Sequence, residues 1–208
     1  MRKPRFRNDY KSMGSGPPII GIEGPVCAGK TTLLHAIGAK FPDTLILPEY
    51  YEMLGKKRFR NLSPKIGLSH RQYLLGLFRG CEQRRHALIS QHRSEVRTVV
   101  LDRTFFSVAC WHYASIGGKR TVHLAELLRS VDRTALVIPE KIYFMDIPHA
   151  RLMQRARAMR FDPQSPALSA NFTRLTRQFF AEFVAPIVPV CFIPHHQLLS
   201  VFESDVLT

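Results

Sequence analysis

The sequence lacks the features of a membrane protein, a zinc protein or a disulfide-stapled protein. It contains four cysteines, and no two of them are spaced as C-x-x-C or as zinc ligands. No apolar run is long enough to span a membrane, and no hydrophobic segment follows the basic N-terminus, so we expect neither a membrane span nor a secretory signal. We therefore expect a cytoplasmic protein with reduced thiols at Cys27, Cys81, Cys110 and Cys191.

Acidic residues are also scarce in this chain of 208 residues. Sixteen Asp and Glu stand against 30 Lys and Arg, so the formal net charge is +14. Such an excess fits either nucleic-acid binding or a site for several phosphates, and the second needs clustered arginines. Part of the excess lies in residues 1–16, which we predict to be a flexible basic arm before a single domain at 17–208.

Residues 24–31 fit the phosphate-loop pattern G-x-x-x-x-G-K-[ST]. An apolar run precedes the pattern and a helical pattern follows it, as a phosphate loop requires. The glycines let backbone N–H groups point at phosphate oxygens, and the start of the helix adds its positive end. In this pattern the lysine reaches the β- and γ-phosphates and the hydroxyl binds Mg²⁺. We therefore predict ATP and Mg²⁺ as cofactors, with Lys30 catalytic, Thr31 a metal ligand, and the nucleotide held by Gly24, Pro25, Val26, Cys27, Ala28, Gly29, Lys30, Thr31 and Thr32.

Apolar runs and helical patterns alternate along the chain. The runs predict strands at 18–23, 44–47, 97–101, 141–145 and 188–193. The helical patterns lie at 30–40, 69–91, 104–116, 123–133, 149–160 and 171–184. We expect a loop or short helix over 50–68 and a short tail after the last strand. The alternation predicts an α/β fold, with a five-stranded parallel sheet and helices on both faces.

Two acids directly follow predicted strands, where parallel sheets bind their ligands. Asp102 could coordinate Mg²⁺ directly or through water, and Arg103 could touch phosphate or hold a neighbouring carboxylate. Glu49 could accept the proton of an acceptor hydroxyl. The alternatives are a helix cap at Asp102, a solvated glutamate at Glu49, and Glu52 as the relevant acid.

The predicted helix at 149–160 is rich in arginine. Arg151 and Arg155 are four residues apart and share a face, so their like charges repel unless an anion lies between them. We predict that Arg151, Arg155 and Arg157 form a lid over the transferring phosphoryl group. A solvated basic helix and a nucleic-acid patch are the alternatives.

Gln72 and Arg79 lie two turns apart on one face of another predicted helix. A glutamine there can pair with the edge of a nucleobase, although an ordinary polar face explains the spacing equally well.

Together these motifs resemble the deoxynucleoside kinase family, within the thymidylate-kinase-like P-loop kinases. The resemblance covers most of the chain: it includes Ile22 through Thr32, Leu47-Pro48-Glu49, Gln72 with Arg79, Asp102-Arg103-Thr104, and the Arg151, Arg155, Arg157 spacing. It implies that Glu49 is the base for a 5′-hydroxyl, that Gln72 and Arg79 bind the nucleobase, and that Arg103 positions the acceptor.

The departures from the family pattern fall on the acceptor side. Met159 and Arg160 stand where the family has an acid that contacts the sugar. Val108 stands where some members have an aspartate that pairs with the base-side arginine. Tyr50-Tyr51 replaces the usual Pro-Val. None of these departures falls on the predicted ATP site, so the identity of the acceptor is the open question.

Three functions therefore remain open. The first is a kinase for a small-molecule hydroxyl, with a nucleoside as the favoured acceptor. The second is a nucleoside monophosphate kinase, whose phosphate clamp would use Arg58, Arg60, Arg79 and Arg103. The third is a nucleotide-binding regulator or a nucleic-acid-binding ATPase, which we favour less. The apolar face around Leu74, Leu77 and Phe78 could serve a homodimer, with packing in the core as the alternative.

Overall fold

Five parallel strands form the centre of the molecule. The computed structural model describes residues 16–55, 68–118 and 136–207, without the side chains of 68–76 and 206–207. The strands are β1 (Ile19–Glu23), β2 (Thr44–Leu47), β3 (Thr98–Asp102), β4 (Lys141–Asp146) and β5 (Val190–Pro194). They lie in the order β2-β3-β1-β4-β5, and every neighbouring pair is parallel. The predicted fold class is confirmed.

Helices connect these strands. They are α1 (Lys30–Lys40), α2 (Tyr50–Leu54), α3 (Leu68–His92), α4 (Phe105–Ser115), α5 (His149–Ala158), α6 (Ala170–Phe179) and α7 (Leu198–Leu207). A 3₁₀ turn, Pro166–Leu168, precedes α6, and a π-helical turn, Phe180–Val184, follows it. No helix in the described ranges is long and apolar enough to cross a membrane. The helix predicted at 123–133, the stretch 56–67 and the predicted arm, apart from Gly16, lie outside the described residues.

The short tail predicted after the last strand is wrong, because those residues form helix α7. Leu198 and Phe202 are one helical turn apart, and both are fully buried. The Phe202 ring meets the ring of Phe41 edge to face at 5.7 Å. This apolar spacing was visible in the sequence, and its burial against the end of α1 is what makes the segment helical.

The strands bury both of their faces. Successive side chains of a strand point to opposite sides, so Ile20, Ile22 and Tyr143 face α1, α5 and α7 in one core. On the other side, Ile142 and Phe144 pack against α4 and α6, and Val99 and Leu101 face α3. The helices therefore cover both faces of the sheet, as the prediction required.

The parallel register brings the candidate site residues to one edge of the sheet. Ile22 of β1 lies beside Asp102 of β3, and Leu47 of β2 lies beside Leu101 of β3. The phosphate loop follows β1 directly, and Glu49 follows β2. Residues that are far apart in sequence thus meet where the strands end.

Candidate active site

The phosphate loop depends on two glycines with positive φ. Gly24 has φ 144°, and a Cβ there would lie 3.1 Å from the Met145 carbonyl oxygen on β4. Gly29 has φ 100°, and a Cβ there would lie 2.8 Å from a guanidinium nitrogen of Arg155. Side chains at either position would strain the backbone and separate the loop from its neighbours. The pattern thus reflects both turn geometry and close approach.

Lys30 is buried at the start of α1. Its Nζ donates to the carbonyl oxygens of Gly24 at 3.2 Å and Pro25 at 2.9 Å. Burial lowers the pKa of Lys30 to about 7, with a further contribution from Arg103, whereas Asp102 and nearby glutamates oppose the shift. The ammonium therefore lies inside the curve of the loop, where a phosphate could replace the carbonyls as its partner.

Asp102 ends β3 and offers an unused oxygen. The residue is buried, and its Oδ1 has no hydrogen-bond partner among the described residues. Burial raises the pKa of Asp102 to about 6, against the opposing charge of Lys30. A buried carboxylate oxygen without a donor is a costly arrangement that a cation, or water bound to one, would relieve. Asp102, together with the exposed hydroxyl of Thr31, therefore fits Mg²⁺.

Arg103 and Glu49 form a close ion pair. Arg103 Nε donates to Glu49 Oε2 at 2.8 Å, and its NH1 donates to the Gly24 carbonyl at 3.3 Å. The backbone of Arg103 has φ 64°, an uncommon value for a residue with a side chain. The sequence allowed Arg103 either to touch phosphate or to hold a neighbouring carboxylate. In the structure it holds the carboxylate of Glu49. The guanidinium ties the end of β2 to the phosphate loop.

Glu23 is a site residue that the motif analysis left without a role of its own. It is fully buried at the end of β1. Its Oε1 accepts from the backbone N and the hydroxyl of Thr104, each at 2.7 Å, and its Oε2 accepts from Ser107 Oγ at 2.5 Å. Arg103 NH1 lies 3.8 Å from the same carboxylate. Glu23 thus holds the start of α4 and the Arg103 segment against the loop.

A second buried network lies beneath Glu49 and Asp102. Arg85 of α3 is fully buried, and its NH2 donates to the carbonyl oxygens of Pro48 at 2.7 Å and Asp102 at 3.1 Å. Its NH1 donates to Glu82 at 3.3 Å, and Tyr50 donates to the same carboxylate at 2.8 Å. One guanidinium therefore joins the residues that precede Glu49 and Arg103.

Sequence reasoning missed Arg85, although a signal was available. Glu82 and Arg85 occur three residues apart where the apolar stripe of α3 continues from Phe78 and Cys81. Charged residues on a buried stripe need partners, so this pair could have been predicted to be internal. Its contacts with the ends of two strands could not have been predicted from that spacing.

The lid arginines differ in their contacts. Arg155 NH1 donates to the carbonyl of Ala28 in the phosphate loop. Arg151 is exposed and donates to Gln154 on its own helix at 3.1 Å, and Arg157 is exposed as well. Helix α5 ends at Ala158, two residues before the predicted end. The structure therefore places Arg155 against the phosphate loop and leaves Arg151 and Arg157 exposed, and the lid stays a prediction.

The predicted base-binding residues, Gln72 and Arg79, lie on α3. The side chain of Gln72 lies outside the described residues, and Arg79 is exposed. Val108, at the position where an aspartate could have paired with Arg79, packs in an apolar cluster with Tyr50 and Phe78. Phe78 is therefore a core residue. The homodimer, which was predicted from the apolar face that includes Phe78, stays a prediction. Arg58 and Arg60 lie outside the described residues.

Comparison with known protein families identifies the family of this chain. A family described as an AAA domain matches residues 19–188, which is most of the chain. The chain belongs to this AAA-domain family. Sequence comparison with curated proteins finds no match.

The AAA-domain protein shares its fold with solved nucleoside and nucleotide kinases. Thymidylate kinase from Candida albicans has a TM-score of 0.66 and 18% identity, over 91% of this chain and 92% of that one. Deoxyadenosine kinase from M. mycoides, with products dCMP and a flexible dCDP bound, has a TM-score of 0.62 and 12% identity, over 91% and 98% of the two chains. The same kinase with bound dATP has a TM-score of 0.59 and 11% identity, over 91% and 100%. The predicted resemblance is confirmed, and the fold is that of the deoxynucleoside- and thymidylate-kinase-like P-loop kinases.

Proposed function

We propose that this protein is an ATP–Mg²⁺-dependent kinase that transfers the γ-phosphate to a hydroxyl of a small molecule. The favoured acceptor is the 5′-hydroxyl of a nucleoside, a deoxynucleoside or a nucleoside-like compound. One observation carries the proposal: Lys30, Asp102 and the Glu49–Arg103 ion pair converge on the phosphate loop at one edge of the sheet. A site for hydrolysis alone would position a water molecule and would need no acceptor pocket.

The proposed step is a direct displacement at phosphorus. The acceptor oxygen forms a bond to the γ-phosphorus, and the bond between that phosphorus and the β–γ bridging oxygen breaks. ADP leaves with the electron pair of the broken bond. Glu49 accepts the hydroxyl proton at Oε1, since Arg103 engages Oε2.

The remaining residues position and neutralise charge. Lys30 exchanges its loop carbonyls for phosphate oxygens, and Arg155 is close enough to the loop to follow the γ-phosphate. Asp102 and Thr31 would hold Mg²⁺, which would supply positive charge to the transferring phosphoryl group. We also propose that Arg151 and Arg157 approach the phosphates when the lid closes.

A cytoplasmic setting fits this role. The sulfurs of Cys27, Cys81, Cys110 and Cys191 are all thiols in the structure. Reduced cysteines are usual in the compartment where ATP is abundant.

The test is ADP release from ATP and Mg²⁺ with deoxyadenosine, deoxycytidine or thymidine, with each of their monophosphates, and with no acceptor. We expect nucleosides to raise the rate well above the rate without acceptor. Stimulation by the monophosphates alone would make the protein a nucleoside monophosphate kinase. An unchanged rate with every acceptor, together with salt-sensitive binding to DNA or RNA, would contradict the proposal.

Lys30→Ala is the matched loss-of-function variant. We expect it to reduce turnover at least about 100-fold, because the loss of a preorganised charge at the developing negative charge typically costs this much. Lys40→Ala, at the other end of α1, is the control, since Lys40 pairs with Glu203 on the surface at 2.6 Å. Near-normal turnover of the Lys30 variant would contradict the assigned site.

A further inference from the structure

Glu23 is a buried carboxylate to which the proposed reaction assigns no step. It is the last residue of β1 and directly precedes Gly24, the first residue of the phosphate loop. Its two oxygens accept three hydrogen bonds, two from Thr104 and one from Ser107. Because the residue is fully buried and both oxygens are engaged, Glu23 cannot reach an acceptor hydroxyl. Any influence of Glu23 on catalysis must therefore act through its neighbours.

The first of these neighbours is the turn at Arg103. The φ of 64° lies in the left-handed region, which is unfavourable for a residue with a Cβ and persists only where the surrounding structure holds it. Two hydrogen bonds flank this residue. The Arg103 N–H donates to the Ile22 carbonyl at 3.1 Å, and the Thr104 N–H donates to Glu23 Oε1 at 2.7 Å. Both acceptors belong to the end of β1, and Glu23 supplies the one that follows the turn.

The same carboxylate lies at the start of α4. This helix begins at Phe105, and the side chain of Thr104 makes no capping hydrogen bond to a backbone N–H of the helix. Glu23 instead accepts the N–H of Thr104 and places a negative charge at the positive end of the helix. Ser107, in the first turn of α4, donates to Oε2 at 2.5 Å. The turn at Arg103 and the start of α4 therefore share one anchor on β1.

Glu23 also faces the guanidinium of Arg103. Arg103 NH1 lies 3.8 Å from Glu23 Oε2, while Arg103 Nε donates to Glu49 Oε2 at 2.8 Å. The guanidinium thus lies between two carboxylates, of which Glu23 is buried and Glu49 is partly exposed. Removal of the Glu23 charge would loosen both the turn that carries Arg103 and one side of its guanidinium.

We propose that Glu23 is a positioning residue for phosphoryl transfer, because it holds the Arg103 turn and thereby keeps the Arg103 guanidinium on Glu49. This inference rests on the proposed kinase function, in which Glu49 is the base. A misplacement of about 1 Å at a reacting group can cost about 100-fold in rate. Loss of the Glu23 charge should therefore lower kcat, whereas the KM of ATP, which depends on the phosphate loop, should change little.

Glu23→Gln tests the charge while it keeps the shape of the side chain. We expect kcat to fall roughly tenfold or more, with a smaller change in the KM of the acceptor. Glu140→Gln is the control for the loss of one negative charge, since Glu140 is exposed just before the start of β4.

The decisive measurement is the same substitution in a Glu49→Gln background. There Glu23→Gln should lower kcat little further, because no base is left to position. An equal loss of kcat in both backgrounds would overturn the proposal and make Glu23 a structural residue only.

Two substitutions of Thr104 separate the hydrogen bond from packing and alter the chain less than a change at Glu23. A Cβ on Gly21 would lie 2.6 Å from Thr104 Cγ2, so the methyl group of Thr104 packs on β1. Thr104→Val keeps this methyl and removes the hydroxyl that donates to Glu23, whereas Thr104→Ser keeps the hydroxyl and removes the methyl. We expect Thr104→Val to lower kcat more than Thr104→Ser does. The reverse order would contradict the proposal.

Crystal structures of the wild type and of Glu23→Gln or Thr104→Val provide a readout that needs no activity. We expect the bond between Arg103 Nε and Glu49 to be lost or lengthened in the variants, and an unchanged pair would overturn the inference. Nucleoside-stimulated ADP release with equal kcat in wild type and Glu23→Gln would also overturn it and leave the kinase standing. A displaced Arg103 in the variants, with no acceptor that stimulates ADP release from the wild type, would support the coupling and contradict the kinase.

Discussion

Glu49 occupies a defined position because Arg103 holds it. The 2.8 Å bond uses one carboxylate oxygen, and the guanidinium is itself anchored on the Gly24 carbonyl. A carboxylate fixed in this way can orient a hydroxyl without a search through rotamers. Positioning of this kind accounts for much of the catalysis of phosphoryl transfer.

Glu49→Gln should lower kcat by about 100-fold, a typical contribution of a positioned general base. The amide can still accept a hydrogen bond, so the acceptor KM should change little. Steady-state kinetics with the best acceptor of the panel measures both constants.

Glu52→Gln serves as the comparison, because Glu52 is exposed on α2 three residues further on. We expect its kcat to match the wild type. A large loss of kcat in this variant, with normal turnover of Glu49→Gln, would transfer the role of base to Glu52. A change in KM alone at Glu49 would make Glu49 a binding residue.

Among the helices, α3 has a supporting role through Arg85. A buried guanidinium needs acceptors inside the protein, and NH1 and NH2 of Arg85 find them on Pro48, Asp102 and Glu82. Its Nε has no hydrogen-bond partner among the described residues. The ring of Tyr50 also lies 4.4 Å from its guanidinium carbon. Because the carbonyls belong to the residues before Glu49 and Arg103, α3 sets the spacing between the ends of β2 and β3.

Arg85→Lys should keep the charge next to Glu82 but lose the planar group that reaches two strand ends. We expect a loss of about 1–3 kcal/mol in the free energy of unfolding, because buried acceptors are left unsatisfied. We also expect a lower kcat with a smaller change in acceptor KM, as Glu49 loses its alignment. Urea unfolding and steady-state kinetics measure the two effects.

Arg84→Lys is the matched control for this position. Arg84 is the neighbouring arginine of α3, and it is exposed. We expect its stability to stay within about 0.5 kcal/mol of the wild type, as for most surface substitutions. Equal effects at the two positions would contradict the positioning role of Arg85, as would destabilisation without any change in kcat.

For the molecule as a whole, α7 closes one face of the sheet. Besides the buried Leu198 and Phe202, it provides Asp205, which accepts from Lys141 Nζ at 2.5 Å and from the hydroxyl of Tyr143 on β4. These two donors, Lys141 first, lower the pKa of the Asp205 carboxyl. The last helix is thus tied to the sheet by packing and by an ionised group.

The lowered pKa of Asp205 predicts how stability depends on pH. Since the carboxyl binds protons more weakly in the folded than in the unfolded protein, its contribution is present above the ordinary pKa of aspartate, about 4. The contribution is lost as pH falls through the lower pKa of the folded protein. Asp205→Asn should therefore destabilise the protein at neutral pH, and the difference from wild type should shrink at more acidic pH.

Urea unfolding of both proteins at several pH values measures this difference. Tyr143→Phe tests the hydroxyl separately, with an expected loss of about 0.5–1.5 kcal/mol for one hydrogen bond. A difference between wild type and Asp205→Asn that stays constant across the acidic range would contradict the assignment.

Local sequence patterns were enough to predict the fold class and the residues of the phosphate loop. The loop signature depends on backbone geometry within eight residues, so Lys30 and Thr31 could be assigned from spacing alone. The alternation of strands and helices implies parallel strands, whose carboxyl ends share an edge. That rule placed Glu49 and Asp102 near the loop before any contact was known.

Contacts between residues that are far apart in sequence could be identified only from the folded structure. Arg103 meets Glu49 across 54 positions of sequence, and Arg85 bridges two strand ends from the middle of a helix. Trp111 and Phe172 come from separate helices, and their rings meet at 5.0 Å only because α4 and α6 pack together. Spacing reports which side chains share a face of one element, but neighbours on different elements are selected by how those elements pack. For this reason the residues of the phosphate loop could be predicted from the sequence, whereas the contacts of Arg103 with Glu49 and of Arg85 with two strand ends required the tertiary structure.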